Sequence, residues 1–298
     1  MKKRIFAMFL IAASFVILFM IYAHESDLQV DLEVMDEIRK EVVIESTDTD
    51  FVAHDKPSKD DTDSDPDIDP NLLRRIDFKK LQGINPATKR WVFIPNTNID
   101  NYVMQEQNVG EYFYLWRDIY GRGNGVGSYL SPPEYEDLPD AHLLIFGHRM
   151  NNGSMFGNLP GYYNSVSSAY NYPCVYIYYP DHSERWRIWA AIDAEPSDDV
   201  YFTPYTLGSG DYQNMLDHVV DISRYHFDED VNKWTPTCYL STCNQWLNGD
   251  WNRFLAGYVF ECKYFYDEKK LTGIEEYLSE RGDTYGREDE TISVEDAA

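Results

Sequence analysis

The stretch YLSTC, from Tyr239 to Cys243, is an extended apolar and β-branched run that ends on a cysteine. The turn signal Asn248-Gly249-Asp250 follows it, and residues 253–260 (RFLAGYVF) then have the composition of a second strand. The two segments predict an antiparallel pair in which Cys243 and Arg253 lie side by side at one end of a sheet. Because thiolate is the reactive form of cysteine, a permanently charged guanidinium beside the thiol indicates a nucleophile.

One histidine has the position of a proton-transfer group. His148 closes the apolar run LLIFGH and precedes a Gly/Asn-rich loop at 149–157. Loops at strand ends commonly carry functional residues, and a cysteine nucleophile needs an acid or base. His148 is therefore the predicted partner of Cys243.

With these residues in place, the chain resembles the sortases, and within them class B. The resemblance rests on LLIFGH followed by MNNGSMFGNL, on YLSTC, and on the arginine ten residues after the cysteine. It covers roughly residues 71–267. The upstream segment IDFKKLQGINPATKRWVFIPNTNIDNYVMQ is similar to the helix and first strand of class B catalytic domains. The chain departs from the family at Asn101-Tyr102, where Tyr-Pro is usual.

The pattern of the core predicts a mainly β fold. Short aliphatic and aromatic runs alternate with Gly, Pro, Asn and Asp clusters, which is typical of a barrel or sandwich. The resemblance implies a closed sortase-type β-barrel of about eight strands. Added helices are expected near residues 71–83 and, before the cysteine strand, near 211–226. The predicted strands include 91–94, 127–130, 142–146, 174–179, 186–192, 238–242 and 254–265.

The N-terminus predicts a membrane anchor. Lys2-Lys3-Arg4 precedes an uncharged stretch at 5–23, which as a helix would be about 28 Å long, close to the hydrocarbon thickness of a bilayer. A poor cleavage site favours an uncleaved signal-anchor over a cleaved signal peptide. The expected organisation is a cytoplasmic end at 1–4, the anchor at 5–23, an acidic extracytoplasmic linker at 24–70, a catalytic domain at 71–272 and an acidic tail at 273–298.

Charge and metal patterns exclude several classes of function. The net charge of −25 disfavours nucleic acid as a partner, because a polyanion would be repelled. The run Asp61-x-Asp63-x-Asp65 suggests a calcium loop, but Pro66 and Leu72 occupy the positions that require Gly and Glu. Zinc-type spacing of cysteine and histidine is missing from the sequence. No metal or organic cofactor is expected.

The remaining three cysteines are an odd set. If Cys243 is free, Cys174, Cys238 and Cys262 can form at most one disulfide. Strand parity places Cys238 on the opposite face from Cys243, because side chains alternate along a strand.

The resemblance implies a transpeptidase mechanism. Cys243 would attack a threonine carbonyl in a sorting motif, His148 would transfer protons, and Arg253 would hold the oxyanion or substrate backbone. Ser241 and Thr242 are expected to support the oxyanion or line the substrate groove, with simple strand filling as the alternative. The implied partners are secreted proteins with a C-terminal sorting motif, and an amine from a peptidoglycan precursor or a pilin.

Two other functions fit parts of the pattern. A Cys/His peptidase or hydrolase of the cell wall would use water instead of an amine, although the papain-like order places the cysteine before the histidine. A catalytically inactive peptide-binding module would use the groove alone. The chain ends without a hydrophobic segment and basic stop, so we expect a cell-membrane enzyme with an extracellular catalytic domain that acts on anchored proteins.

Overall fold

The computed structural model describes residues 28–44, 68–105, 108–110, 112–133, 141–201, 205–225, 227, 230–247 and 250–280, together with Ser14, Ile17, Met20 and Glu25. Most of the predicted anchor at 5–23, most of the acidic linker and most of the tail lie outside these residues. Within the described part of the chain, no helix has the length and apolar character needed to cross a bilayer.

Eleven strands occur in the described residues. They are β1 (Val43–Ile44), β2 (Arg75–Ile76), β3 (Thr88–Phe93), β4 (Asp100–Met104), β5 (Tyr129–Leu130), β6 (His142–Phe146), β7 (Cys174–Tyr178), β8 (His182–Ala194), β9 (Thr237–Leu247), β10 (Asp250–Phe265) and β11 (Lys270–Gly273).

The described part of the chain also contains seven α-helices. They are α1 (residues 28–42), α2 (Pro70–Leu73), α3 (Phe78–Ile84), α4 (Leu159–Tyr162), α5 (Val166–Ala169), α6 (Gly210–Ile222) and α7 (Ile274–Glu280), with short 3-10 helices at Phe113–Trp116 and Asp199–Tyr201.

Eight of the strands form a closed barrel. Hydrogen bonding runs in the order β10-β8-β7-β3-β4-β5-β6-β9, and β9 then pairs with β10 to complete the circle. The β4–β5 and β6–β9 pairs are parallel and the other pairs are antiparallel. β11 extends the sheet beyond β10, while β1 and β2 make a separate ribbon. The predicted mainly β barrel of about eight strands is confirmed.

Aromatic side chains dominate the core. Trp91, Trp186, Tyr102 and Tyr129 are each at most 1% exposed. Burial of such large rings is the main favourable contribution to folding, and the tyrosine hydroxyl needs a partner when it is buried. The Tyr258 hydroxyl, for example, donates to the Tyr163 hydroxyl at 2.8 Å.

Helix α6 matches the helix predicted before the cysteine strand. Ser209 caps it by accepting from the Tyr212 backbone N–H at 3.2 Å. Tyr212, Met215, Leu216 and Val219 are buried, and this i, i+3, i+4, i+7 spacing turns one face of the helix toward the core. The helix ends at Ile222, four residues before the predicted end.

The helix predicted at 71–83 is instead two helices. Asp69 caps α2 and Asp77 caps α3 through their carboxylates. Between them, Ile76 pairs with Val43 in the β1–β2 ribbon. Both parts of this segment are helical, as predicted. The helix is interrupted between them because Ile76 pairs with a strand more than thirty residues upstream.

Helix α1 packs against the barrel. Met35, Ile38 and Val42 are at most 4% exposed, at the three- and four-residue spacing of one helix face. The Asp31 carboxylate accepts from the Gly125 backbone N–H at 3.1 Å. These residues, which were predicted to be linker, extend the folded unit upstream of residue 71. At the other end, Leu278 of α7 is fully buried, so the folded unit also continues past residue 272.

Candidate active site

Cys243 and Arg253 lie directly opposite each other on neighbouring strands. In the antiparallel β9–β10 pair their Cα positions are partners, next to an irregularity between Trp251 and Arg253. Cys243 is a free thiol, and both residues are half-buried. The predicted juxtaposition of the thiol and the guanidinium is confirmed at the level of strand register.

His148 follows β6, which pairs with β9 on the side opposite β10, and it lies at the same end of the sheet as Cys243. The parallel β6–β9 ladder ends with the pair Phe146 and Ser241, and Gly147 N–H then donates to the Ser241 carbonyl at 3.1 Å. His148 and Cys243 each lie two residues beyond this last pair. The barrel therefore brings the three predicted residues together at one end of three neighbouring strands.

The hydrogen bonding of the His148 ring leaves one of its nitrogens without a partner within the described residues. The ring hydrogen-bonds to the backbone carbonyl of Leu115. Nε2 is buried and has no hydrogen-bond partner among the described residues. An imidazole with an unpartnered nitrogen keeps the capacity to take up or release a proton.

The surroundings of His148 favour its neutral form. Burial lowers its pKa, and the hydrogen bond to Leu115 opposes this shift only in part. The exposed ring of Trp116 contacts the imidazole edge-on, with 4.4 Å between ring centroids. The imidazole is thus partly shielded from water and able to accept a proton at neutral pH.

Gly127 makes the Leu115 contact possible. Its φ is +68°, and a Cβ built there would lie 1.9 Å from the Leu115 carbonyl oxygen and 3.3 Å from Cδ2 of His148. A side chain at this position would push the carbonyl away from the imidazole. The orienting group of His148 therefore depends on a glycine that the sequence analysis did not identify.

Ser241 and Thr242 are both buried and both hydrogen-bonded within the protein. Ser241 Oγ lies 2.8 Å from the Tyr201 hydroxyl, and Thr242 Oγ1 donates to the Gly147 carbonyl at 2.8 Å. Their position beside Cys243 agrees with a supporting role. Their observed contacts are structural, and a direct part in oxyanion binding stays a prediction.

Tyr201 is a site residue that sequence reasoning missed. Its ring stacks on Phe146 with centroids 6.0 Å apart, and its hydroxyl reaches Ser241. Burial raises the pKa of the Tyr201 hydroxyl, which therefore stays protonated. Because it comes from the loop between β8 and α6, forty residues before Ser241, only the closed barrel reveals this contact.

Two other histidines are structural. His142 is 3% exposed, its Nε2 lies 2.8 Å from the Val200 carbonyl, and burial lowers its pKa to about 4. His182 contacts the carboxylates of Asp181 and Glu184 at 2.7 and 3.3 Å.

The other cysteines are thiols. Cys174, Cys238 and Cys262 are free, and burial raises the pKa of each, to about 12 for Cys174 and about 11 for Cys262. They are poor nucleophiles, because only the thiolate reacts readily. Among the described residues, no group of three or more metal-binding side chains could hold a metal ion.

Comparison with known proteins identifies the fold. No protein-family model matches the chain, and no curated protein matches it. Solved structures of class B sortases do. Sortase B from Bacillus anthracis, in complex with AAEK1, is 19% identical with a TM-score of 0.60, covering 79% of this chain and 98% of that chain.

Two further structures support the same assignment. A mutant form of Clostridium perfringens sortase B is 21% identical with a TM-score of 0.56, covering 62% of this chain and 86% of that chain. The Staphylococcus aureus sortase B–substrate complex is 20% identical with a TM-score of 0.56, covering 62% and 84%. The chain has a class B sortase-like fold.

Proposed function

We propose that this protein is a class B-type sortase, a cysteine transpeptidase that joins secreted proteins to an amine of the cell envelope. One observation carries the proposal. The half-buried thiol of Cys243 lies between Arg253 on one neighbouring strand and His148 at the end of the other. A nucleophile, a fixed cation and a proton-transfer group at one strand end are what acyl transfer requires.

The first half-reaction forms a thioester. The Cys243 thiolate attacks the carbonyl carbon of a threonine in the sorting motif, and the Arg253 guanidinium donates hydrogen bonds to the oxyanion or adjacent backbone. The C–N bond then breaks, and the departing amine takes its proton from His148. The lowered pKa of His148 means that only a fraction of the protein carries this proton at neutral pH.

The second half-reaction transfers the acyl group. An incoming amine attacks the thioester carbonyl and gives its proton to the His148 imidazole, and the C–S bond breaks to restore the thiolate. Here the lowered pKa of His148 is favourable at the outset, because the imidazole is already neutral and able to act as a base.

The proposal extends to location and partners. We assign residues 5–23 to a single-pass anchor that leaves the barrel outside the membrane. The donor substrate would be a secreted protein with a C-terminal sorting motif, and the acceptor a peptidoglycan cross-bridge amine or a pilin lysine. Support comes from the fold that the chain shares with sortase B structures, one of them a substrate complex.

A peptide-transfer assay tests the function. The detergent-solubilised 298-residue chain is incubated with a fluorogenic library of threonine-containing peptides, with and without an added amine. We expect a ligated product that requires the amine and disappears in Cys243→Ala. Cleavage that ignores the amine would identify a hydrolase, and peptide binding without cleavage would identify an inactive binding module.

A further inference from the structure

The strand ladder that positions His148 and Cys243 stops before it reaches them. The last β6–β9 pair is Phe146 with Ser241, and the two site residues lie two positions further along their chains. A one-residue slip or a splaying of these strand ends would separate the imidazole from the thiol. Something beyond the regular ladder must hold them level.

Two cross-links lie on either side of the site pair. On one side, Thr242 Oγ1 donates to the Gly147 carbonyl at 2.8 Å. On the other side, Arg149 Nη1 donates to Asn244 Oδ1 at 3.1 Å and also to the Asn244 backbone carbonyl. Each cross-link joins residues 95 apart in sequence. His148 and Cys243 have the same separation in sequence, and they lie between the two cross-linked pairs.

The Arg149–Asn244 cross-link is also connected to a third strand, β8. Asn244 is 8% exposed, and its side-chain amide donates to the Asp193 carboxylate on β8. Asp193 in turn accepts two hydrogen bonds from Arg224, both at 2.7 Å. Asp193 precedes Ala194, the β8 partner of Arg253. Asn244 therefore connects the histidine end, the cysteine end and the strand beside the arginine.

We propose that Arg149 and Asn244 are positioning residues that hold His148 level with Cys243 where the main-chain ladder has ended. The inference rests on the proposed acyl-transfer function for its kinetic consequences. The guanidinium of Arg149 is suited to this task, because its Nη1 donates to two acceptors on Asn244 at once, the backbone carbonyl and the side-chain oxygen. Neither residue touches the substrate's reacting atoms; both act through His148 and Cys243.

The kinetic test compares paired variants. Arg149→Met and Asn244→Ala should each lower kcat by about 10-fold with little change in KM, since small misplacements of a reacting group cost this much or more. The double variant should be no slower than the worse single variant, because the two residues act as one unit. Arg187→Met is the control, since Arg187 is half-exposed on β8 and pairs instead with Glu261.

A spectroscopic test does not depend on activity. The His148 ring lies 4.4 Å from that of Trp116, so the ring current of the indole shifts the imidazole NMR signals. His148→Gln identifies these signals among the seven histidines. Arg149→Met and Asn244→Ala should move the His148 signals or broaden them, whereas Arg187→Met should leave them in place.

The two measurements separate the possible failures. If the wild-type chain transfers no acyl group, the proposed function fails and the NMR comparison alone decides the positioning role. Unchanged His148 signals in both variants would overturn the inference, whatever happens to kcat. A loss of kcat that is additive in the double variant would also overturn it.

Discussion

Two histidines at opposite ends of β6 show what separates a structural imidazole from one in an active site. His142, at the start of the strand, has Nε2 2.8 Å from the Val200 carbonyl and Nδ1 3.5 Å from Thr237 Oγ1. His148, just past the end, is held through Leu115 while its buried Nε2 has no partner among the described residues. Burial lowers the pKa of both.

Burial therefore does not distinguish these two residues; the unpartnered nitrogen does. Leaving a buried polar atom without a hydrogen bond costs about 1–3 kcal/mol. At His142 both ring nitrogens have hydrogen-bond partners, so this cost does not arise. At His148, beside a thiol and a guanidinium, one buried nitrogen has no partner among the described residues. Other buried atoms, such as Trp189 Nε1, also have no partner among the described residues, so the unpartnered nitrogen of His148 gains its meaning from its position at the strand end beside Cys243.

The largest expected effect separates the two histidines directly. His148→Gln should lower turnover by about 10²- to 10⁴-fold, the usual contribution of general acid–base catalysis, with little change in thermal stability. His142→Gln should lower the unfolding free energy by about 1–3 kcal/mol and leave turnover of the folded protein intact. Steady-state kinetics and thermal unfolding of both variants check this, and the reverse pattern would exchange the two roles.

A second substitution tests the cation on the far side of Cys243. Arg253→Lys keeps the charge but loses the fork, so we expect turnover to fall about 10²-fold, near the cost of one lost oxyanion donor. Unfolding free energy should change far less. The control is Arg187→Lys, whose turnover should match the wild type. Wild-type turnover in Arg253→Lys would remove Arg253 from the mechanism.

The pH dependence of the unfolding free energy tests whether His142 is held in its neutral form. Burial lowers the pKa of His142 to about 4, whereas an unfolded histidine has a pKa near 6.5. As pH falls from about 6.5 to about 4, the unfolded chain takes up a proton that the native state refuses, so stability decreases by about 3 kcal/mol. Urea unfolding at pH 7 and pH 4 should show that much less pH dependence in His142→Gln than in the wild type. Equal pH dependence would show that His142 is not held neutral.

The smallest effect concerns the carbonyl that orients His148. Gly127→Ala and Gly121→Ala both place a side chain at positive φ, with a strain of about 1 kcal/mol or more. Only at Gly127 does the new Cβ meet the Leu115 carbonyl, because Gly121 faces open space. We expect kcat to fall about 10-fold in Gly127→Ala and to stay within about twofold in Gly121→Ala. Equal kcat values would show that Leu115 does not orient the imidazole.

Much of this architecture is readable from the sequence because its signals are local. The run into Cys243, the Asn-Gly turn and the apolar strand after Arg253 predict their pairing, and β9 and β10 form it in the expected register. His148 is identified by the same logic, from a strand that ends and a loop that begins. The buried face of α6 also follows from spacing alone.

The remaining features depend on partners chosen by barrel closure. Val43 interrupts a predicted helix by pairing with Ile76, and Tyr201 reaches Ser241 across forty residues. Arg149 meets Asn244 only because β6 and β9 are parallel neighbours. No periodicity records such contacts, so sequence reasoning found the reacting groups and missed the groups that hold them.

Intact-mass spectrometry of the acyl-enzyme tests the central claim most directly. The wild-type chain is mixed with an excess of a cleavable sorting peptide without added amine, then quenched in acid. The account predicts a mass increase equal to the peptide fragment ending in threonine, located on Cys243 and released by hydroxylamine. His148→Gln should accumulate much less of this adduct, whereas His142→Gln should accumulate as much as the wild type. Peptide cleavage with no adduct on Cys243, or an adduct on another residue, would contradict the account.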